Sequence, residues 1–396
     1  MSILIAEDEA ITRLILQRAV EKLGYACLVA RDGAEAWHLF QDTEVDVVIS
    51  DWMMPGVDGI ELCRRVRASG REAYPYFILL TALGDKEHLL AGMRAGADDY
   101  LTKPLDQDEL RVRLLAAARV TLVYRELASQ RRQLLAELAR AAQVQAELLP
   151  REVPRLAGCQ LAARCVPARE VGGDFYDWQE VAPGVLTLTL GDVSGKGMPA
   201  ALLMATVRTA LRAVARQHTP AAAVGLAART LESDLERSES FVTLFHAQFD
   251  VAGRRLTYVD AGHGHVFVRR ADGTAERLEA GGLPLGILPD ETYAEGSMAL
   301  QPGDTLVVYS DGLVDARPDL ELTPATLAGQ LSAAASAGET VDRLLALVDP
   351  GGMPPDDLTV VALCCRGGEP HGRGTELALG RGVPGGARTP VGTSDE

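Results

Sequence analysis

The sequence has no CxxC pair among its six cysteines, Cys27, Cys63, Cys159, Cys165, Cys364 and Cys365. No secretory signal precedes them, so scattered thiols read as reduced core residues of a cytoplasmic protein. The start, MSILIAEDE, lacks a basic leader and a long apolar stretch. No run approaches the roughly 18 apolar residues that a membrane helix needs. Basic charge is also short: 39 Lys and Arg stand against 55 Asp and Glu, a net charge of −16. That balance argues against nucleic acid, whose phosphates need clustered cations, and no helix-turn-helix with a basic recognition helix is visible. It suits sites where carboxylates hold divalent cations.

With 396 residues, the chain is long enough for two or three domains, and 47% hydrophobic content is ordinary for globular protein. Up to Ala118, short apolar runs (SILIA, CLVA, VDVVIS, YFILL, DDYL) alternate with amphipathic stretches. This predicts a doubly wound α/β domain over 1–118, with a parallel sheet and its functional groups at the carboxyl ends of the strands. From Arg119 to Leu149 there is no Gly or Pro, and Val120, Leu127, Leu134, Ala141 and Leu148 recur every seventh residue. That spacing predicts a helical linker over 119–150 that pairs as a coiled coil in a homodimer. Pro150 and Pro154 end it. Beyond, β-type runs such as GVLTLTLGDV, FVTLFHAQFD and DLTVVALCC surround helical stretches near 198–217, 220–237 and 340–348. Grouped strands and grouped helices predict an α+β sandwich over 151–366. From Gly367 to Glu396 the Gly/Arg/Pro-rich sequence loses all periodicity and reads as a disordered tail.

In the first domain Glu7 and Asp8 follow the first strand and Asp51 the third. Thr81 follows the fourth and Lys103 the fifth. Three acids can hold a hard cation such as Mg2+, a lysine can neutralise a phosphoryl group, and the central carboxylate can serve as a nucleophile. With the signatures AEDE, DWMMPGVDG, LLTA and DDYLTKP, residues 1–118 resemble a CheY-like receiver domain over its whole length. The resemblance implies that Asp51 accepts a phosphoryl group from a histidine kinase or phosphotransfer protein. It also implies Mg2+ held by Asp8, Asp51 and the Met53 carbonyl, with Glu7 acting through water. Lys103 would pair with the phosphoryl group, and Thr81 and Tyr100 would form the switch pair. Asp58 and Gly59 would serve the loop and the next helix.

The second domain sets acids in turn-like contexts: Asp174 in VGGDFYDW, Asp192 in LGDVSGKG, Asp311 in YSDGLVDA, and Asp356 and Asp357 in PPDDLTVV. Several Asp without Cys favour Mg2+ or Mn2+ over zinc, and paired cations are a known solution to phosphate-ester hydrolysis. No CxxxxxR or GxSxG signature offers a covalent alternative. Together with PAREVGGDFYD, GDVSGKGMPAALLMA, YVDAGHGHVFV, GLPLGI and DDLTVVAL, the set resembles the sporulation- and stress-type branch of the protein phosphatase 2C family, from about Leu148 to Cys365. The resemblance implies two antiparallel sheets flanked by helices, with two Mn2+ or Mg2+ between them. Asp192 would bridge the metals with the Val193 carbonyl. Asp174 would sit beside the first, and Asp311 with Asp356 or Asp357 would bind the second. His263 in AGHGH is as suited to a turn as to acid catalysis, and Arg169 is a candidate for gripping the phosphate. The helix after Gly197 would be regulatory.

Combined, these features predict a response regulator whose Asp51 controls a metal-dependent serine/threonine phosphatase. The resemblance implies a phosphoserine or phosphothreonine protein of the anti-anti-sigma (STAS) type as substrate. The rival is a non-catalytic adaptor that binds a sigma-factor regulator through a degenerate phosphatase-like domain. Retained metal acids favour the enzyme.

Overall fold

Short unbroken apolar runs become strands buried on both faces in the first unit. In the computed structural model, which describes residues 1–82, 86–154, 156–278, 281–331, 335–348 and 354–366, the chain divides between Glu137 and Leu138 into two compact units. The tail expected from Gly367 to Glu396 lies outside the described residues.

The first unit runs β1 (Ser2–Ala6), α1 (Ala10–Lys22), β2 (Ala26–Ala30), α2 (Gly33–Asp42), β3 (Val47–Asp51), α3 (Gly59–Ala68), β4 (Tyr76–Ala82), α4 (Lys86–Ala95), β5 (Asp99–Lys103) and α5 (Gln107–Leu148). The strands are parallel in the order β2-β1-β3-β4-β5. This is the flavodoxin-like order. Side chains alternate along each strand. Leu4 and Ala6 therefore join Phe40, Val48 and Phe77 in one core layer, while Ile3 and Ile5 join Leu16, Ile49, Ile78, Leu110 and Leu114 in the other. Asp58 caps α3, its side chain accepting from Glu61 N–H at 2.7 Å. Gly59 has no alternative, because a Cβ there would stand 2.1 Å from the Asp51 carbonyl oxygen.

The helix expected from Arg119 begins instead at Gln107 and runs unbroken to Leu148. Its first turns bury Leu110, Leu114 and Ala117 under the sheet, so the first unit's last helix and the linker are one element. Val120, read as a heptad position, packs against that core. Leu127 and Leu134 are 59% and 58% exposed.

The second unit opens with β6 (Cys159–Val166), β7 (Phe175–Ala182), β8 (Val185–Val193), α6 (Met198–Val214), α7 (Pro220–Arg237), β9 (Val242–Asp250) and β10 (Arg255–Ala261). It continues with β11 (Val266–Arg269), β12 (Ala275–Arg277), β13 (Gly296–Ala299), β14 (Thr305–Tyr309), α8 (Gly312–Asp315), α9 (Pro324–Gly329), α10 (Ala337–Leu347) and β15 (Leu358–Cys365). Two antiparallel sheets form, β13-β10-β9-β8-β7 and β12-β11-β14-β15-β6. Trp178, Leu188, Phe245 and Phe249 of the first interleave with Val268, Leu306, Val361 and Leu363 of the second. α6 and α7 cover the first sheet through Val207, Leu211, Val224 and Leu231. α10 covers the second through Val341 and Leu344. β7 escapes a reading by hydrophobicity because Asp177, Gln179 and Glu180 interrupt its sequence, FYDWQEVA.

Candidate functional site

In a parallel sheet, ligands gather where strand order reverses. Here that point lies between β1 and β3. Glu7, Asp8 and Asp51 converge there, each offering an oxygen within 4.8 Å of the others. Glu7 is fully buried, Asp51 nearly so, and Asp8 is exposed, so the cluster opens to solvent on one side. Lys103 reaches in from β5. Its Nζ lies 2.9 Å from Asp51 Oδ1 and 2.9 Å from Glu7 Oε2, and it donates to Glu7 Oε1 at 3.2 Å. Burial raises the Glu7 carboxyl above its ordinary range. The Lys103 hydrogen bond pulls it back, and the charge of Asp51 adds to the rise. Burial works against the Lys103 charge, but the hydrogen bonds to Glu7 and Asp51 outweigh it and raise the lysine. Acidic oxygens open to solvent beside one lysine fit a hard cation next to a phosphoryl group. Met53 is exposed at the rim, Thr81 is buried at the end of β4, and the Tyr100 ring lies 5.7 Å from the Arg113 guanidinium.

The sandwich brings together acids from 165 residues of sequence. Asp192 is the penultimate residue of β8, Asp311 follows β14, and Asp356 precedes β15. All three line one cleft of about 340 Å³ together with Val193, Ser194, Lys196, Phe241, Thr243, His263 and His265. Burial pushes Asp192 up to about 7, followed by repulsion from Asp311, Asp356 and Asp357. Asp311 is raised by burial and then by Asp356. Asp174 is buried; burial and then the charge of Asp192 raise its carboxyl well above the carboxylate range, and its Oδ2 has no hydrogen-bond partner. Carboxylates that press one another toward the protonated form are what a divalent cation relieves.

The loop glycines fit the same reading. A Cβ on Gly173 would stand 2.6 Å from the Val193 carbonyl oxygen and 3.4 Å from Asp192 Oδ1. Gly195 and Gly197 both adopt positive φ, 100° and 77°, which turns the chain from β8 into α6. α6 is fastened to β7 by Asp177, which accepts from Arg212 at 2.6 Å and Arg208 at 3.2 Å.

Asp357 requires a correction. Its carboxylate faces away from the cleft and accepts from Ala168 N–H at 2.8 Å, Gly173 N–H at 2.7 Å and Asp174 N–H at 3.3 Å. It fastens the loop that presents Asp174, and a Cβ on Gly172 would collide with it at 2.1 Å. Asp356 faces the cleft, its Oδ2 2.7 Å from Lys196 Nζ. Among the described residues, no three of the second-unit acids bring ligand atoms as close together as those of the first unit. Sequence reasoning passed over Lys196 and His265, although both stand inside quoted motifs, GDVSGKG and AGHGH.

Residues 3–115 match the family described as response regulator receiver domain, and residues 182–366 match the family described as stage II sporulation protein E (SpoIIE). Protein IcfG of Synechocystis sp. is 31% identical over 261 residues, 57% of this chain and 41% of that protein. Phosphoserine phosphatase RsbU of Bacillus subtilis is 33% identical over 185 residues, 46% of this chain and 55% of that protein. The phosphate regulon transcriptional regulatory protein PhoB of Pseudomonas aeruginosa is 41% identical over 120 residues, 30% of this chain and 52% of that protein. The chain thus spans about half the length of the curated relatives it matches. Among the described residues no helix is long and apolar enough to cross a membrane.

Proposed function

Since the chain joins a response regulator receiver domain to a SpoIIE/PP2C-type phosphatase domain, we propose that it is a protein serine/threonine phosphatase controlled by phosphorylation of Asp51. The observation that carries the reading is the meeting of Asp192, Asp311 and Asp356 in one cleft, with Asp174 buried and one of its oxygens unpartnered. Asp192 would hold two Mn2+ or Mg2+ ions together with the acids of the second sheet. The Val193 carbonyl and Asp174 would serve the first ion, and Asp311 and Asp356 the second. When bound, such ions lower the pKa of a water and polarise a phosphoryl oxygen. Asp174 and Asp192 take part in the reaction as the acids that hold this geometry. Lys196 offers positive charge at the rim for the substrate phosphate.

In the receiver, Asp8, Asp51 and the Met53 carbonyl would hold Mg2+, with Glu7 acting through water. Asp51 takes the phosphoryl group from a histidine kinase or phosphotransfer protein, Lys103 neutralises it, and Thr81 and Tyr100 respond to it. The receiver occupies residues 1–118 and the phosphatase 151–366. The linker over 119–150, most of it the end of α5, joins them and pairs with that of a second copy. The substrate is a phosphoserine or phosphothreonine protein of the STAS type.

Phosphate release from a phosphoserine peptide, with Mn2+ and the full chain, tests the reading. Asp192→Ala is expected to lower the rate by about 10³-fold, several kcal/mol of lost metal-centred stabilisation. Full activity in that variant rejects the metal assignment. The rate with acetyl phosphate and Mg2+ should differ from that without, and Asp51→Ala should abolish the difference. Equal rates with Asp51 shown to be phosphorylated reject receiver control.

A further inference from the structure

Cys159 opens β6 and Cys365 closes β15, 206 residues apart in sequence, and the antiparallel register sets them directly opposite each other. Arg366 N–H donates to the Gly158 carbonyl at 2.6 Å, one position beyond the pair. The two cysteines therefore occupy a non-hydrogen-bonded position of the ladder, where Cα atoms approach to about 4.5 Å. A disulfide accepts Cα separations from about 4.4 to 6.8 Å. The sulfurs are 3.4 Å apart, in hydrogen-bond contact, with no side chain between them. β6 is the edge strand of its sheet, and Cys159 is 9% exposed against 1% for Cys365. A small solute reaching the pair would meet Cys159 first.

Neighbouring thiols do not share this geometry. Cys364 points to the other face of β15, 3.5 Å from the Thr305 hydroxyl. Cys165 lies at the opposite end of β6, where its register partner is Thr359. The contact with Cys365 is the largest influence on Cys159 and holds its thiol below the ordinary range; burial opposes this and Arg254 adds to it.

We propose that Cys159 and Cys365 form a reversible oxidation site, which a peroxide converts to a cross-strand disulfide tying the first strand of the phosphatase sandwich to its last. Cys159 loses its proton, and its sulfur attacks one peroxide oxygen. The O–O bond breaks, giving a sulfenic acid at Cys159 and one water. Cys365 sulfur then attacks the Cys159 sulfur, the S–O bond breaks, and the departing hydroxide takes the Cys365 proton as a second water. Two thiols are oxidised by two electrons, and the peroxide is reduced to two waters. Attack by a dithiol reductant reverses the bond. The site is independent of the metal cleft, so it stands or falls apart from the proposed activity.

The test uses the full chain, reduced, desalted and exposed to hydrogen peroxide. Intact mass should fall by two hydrogen atoms, and a proteolytic digest should contain one linked pair of peptides carrying Cys159 and Cys365. Dithiothreitol should remove both signals, and Cys159→Ser and Cys365→Ser should each lack them. Because the bond closes a loop of almost the whole domain, the thermal midpoint of the phosphatase unit should rise by roughly 5 °C or more on oxidation. Oxygen added at Cys159 without the linked peptides, or no change while an exposed control dithiol is fully oxidised, overturns the site. A linked protein with an unraised midpoint overturns the fastening. Both outcomes are read on the unsubstituted chain, so a variant that folds poorly does not decide the matter.

Discussion

Lys196 Nζ rests 2.7 Å from Asp356 Oδ2, while the same ammonium donates to the Pro355 carbonyl at 2.9 Å. A side chain from the β8–α6 loop thus neutralises the acid that the second sheet contributes to the cleft. A cation arriving at Asp356 must displace that ammonium. Lys196→Met is therefore expected to tighten Mn2+ binding by up to about fivefold, because an exposed ion pair is worth at most about 1 kcal/mol. Calorimetric titration of the two proteins with Mn2+ checks this. Weaker binding in the variant would show that the lysine supports the site instead of competing for it.

Gly173 gives a second handle. An added Cβ would press on the Val193 carbonyl oxygen, a backbone atom that cannot rotate away. Gly173→Ala should cost about 1–3 kcal/mol of stability, as overpacking does, and should lower Mn2+-dependent phosphate release. Gly225→Ala in α7 is the control. Its nearest neighbour is the Arg229 guanidinium at 3.6 Å, and the change should stabilise by up to about 1 kcal/mol through helix propensity. Denaturant unfolding of both variants separates the two signs.

His246 sets a pH limit on the sandwich. It is buried on the face of the first sheet that α6 and α7 cover, the face of Leu244 and Gln248, with Thr189 Oγ1 2.8 Å from its Nδ1, and its Nε2 has no partner among the described residues. Burial pushes its pKa down to about 4 from an ordinary 6.5. The unfolded chain therefore takes up the proton first as pH falls. The contribution to stability is complete above pH 6.5 and is lost progressively toward pH 4. At pH 5 the loss is about 2 kcal/mol. His246→Gln should remove that share of the difference between unfolding free energies at pH 7.5 and pH 5. An unchanged difference would place the titration elsewhere.

Leu127 and Leu134, one heptad apart on α5, are largely exposed within a single chain, as are Val123 and Val144. The proposed pairing of this forty-two-residue helix with that of a second copy would bury the stripe. Leu127→Glu with Leu134→Glu should weaken self-association at least about tenfold, since apolar seam positions carry the stability of a coiled coil. Sedimentation of the two proteins over a range of concentrations measures the change. A wild-type chain that stays monomeric at high concentration rejects the pairing.

Several features followed from local sequence alone. Apolar runs of five residues separated by amphipathic stretches were enough for the parallel sheet, because each strand is buried on both faces and each helix on one. Asp58 and Gly59 were expected to serve the loop and the next helix, and Asp58 does so as the cap of α3, a contact across three residues. The acids of both sites stood in motifs short enough to read, as did the β-runs of the sandwich. The tertiary structure decided matters that depend on residues far apart in sequence. Asp356 and Asp357 are adjacent and chemically identical, yet the pleat of the chain entering β15 sends one carboxylate to the cleft and the other to three amides around residues 168–174. Lys196 finds Asp356 across 160 residues because the two sheets stack with their loops at one end, and Cys159 finds Cys365 across 206 because the antiparallel register of β6 and β15 sets them opposite; neither follows from local spacing. One helix, α5, spans the position read as the end of the first domain, because the face that packs on the sheet continues, without a breaker, into the face that does not.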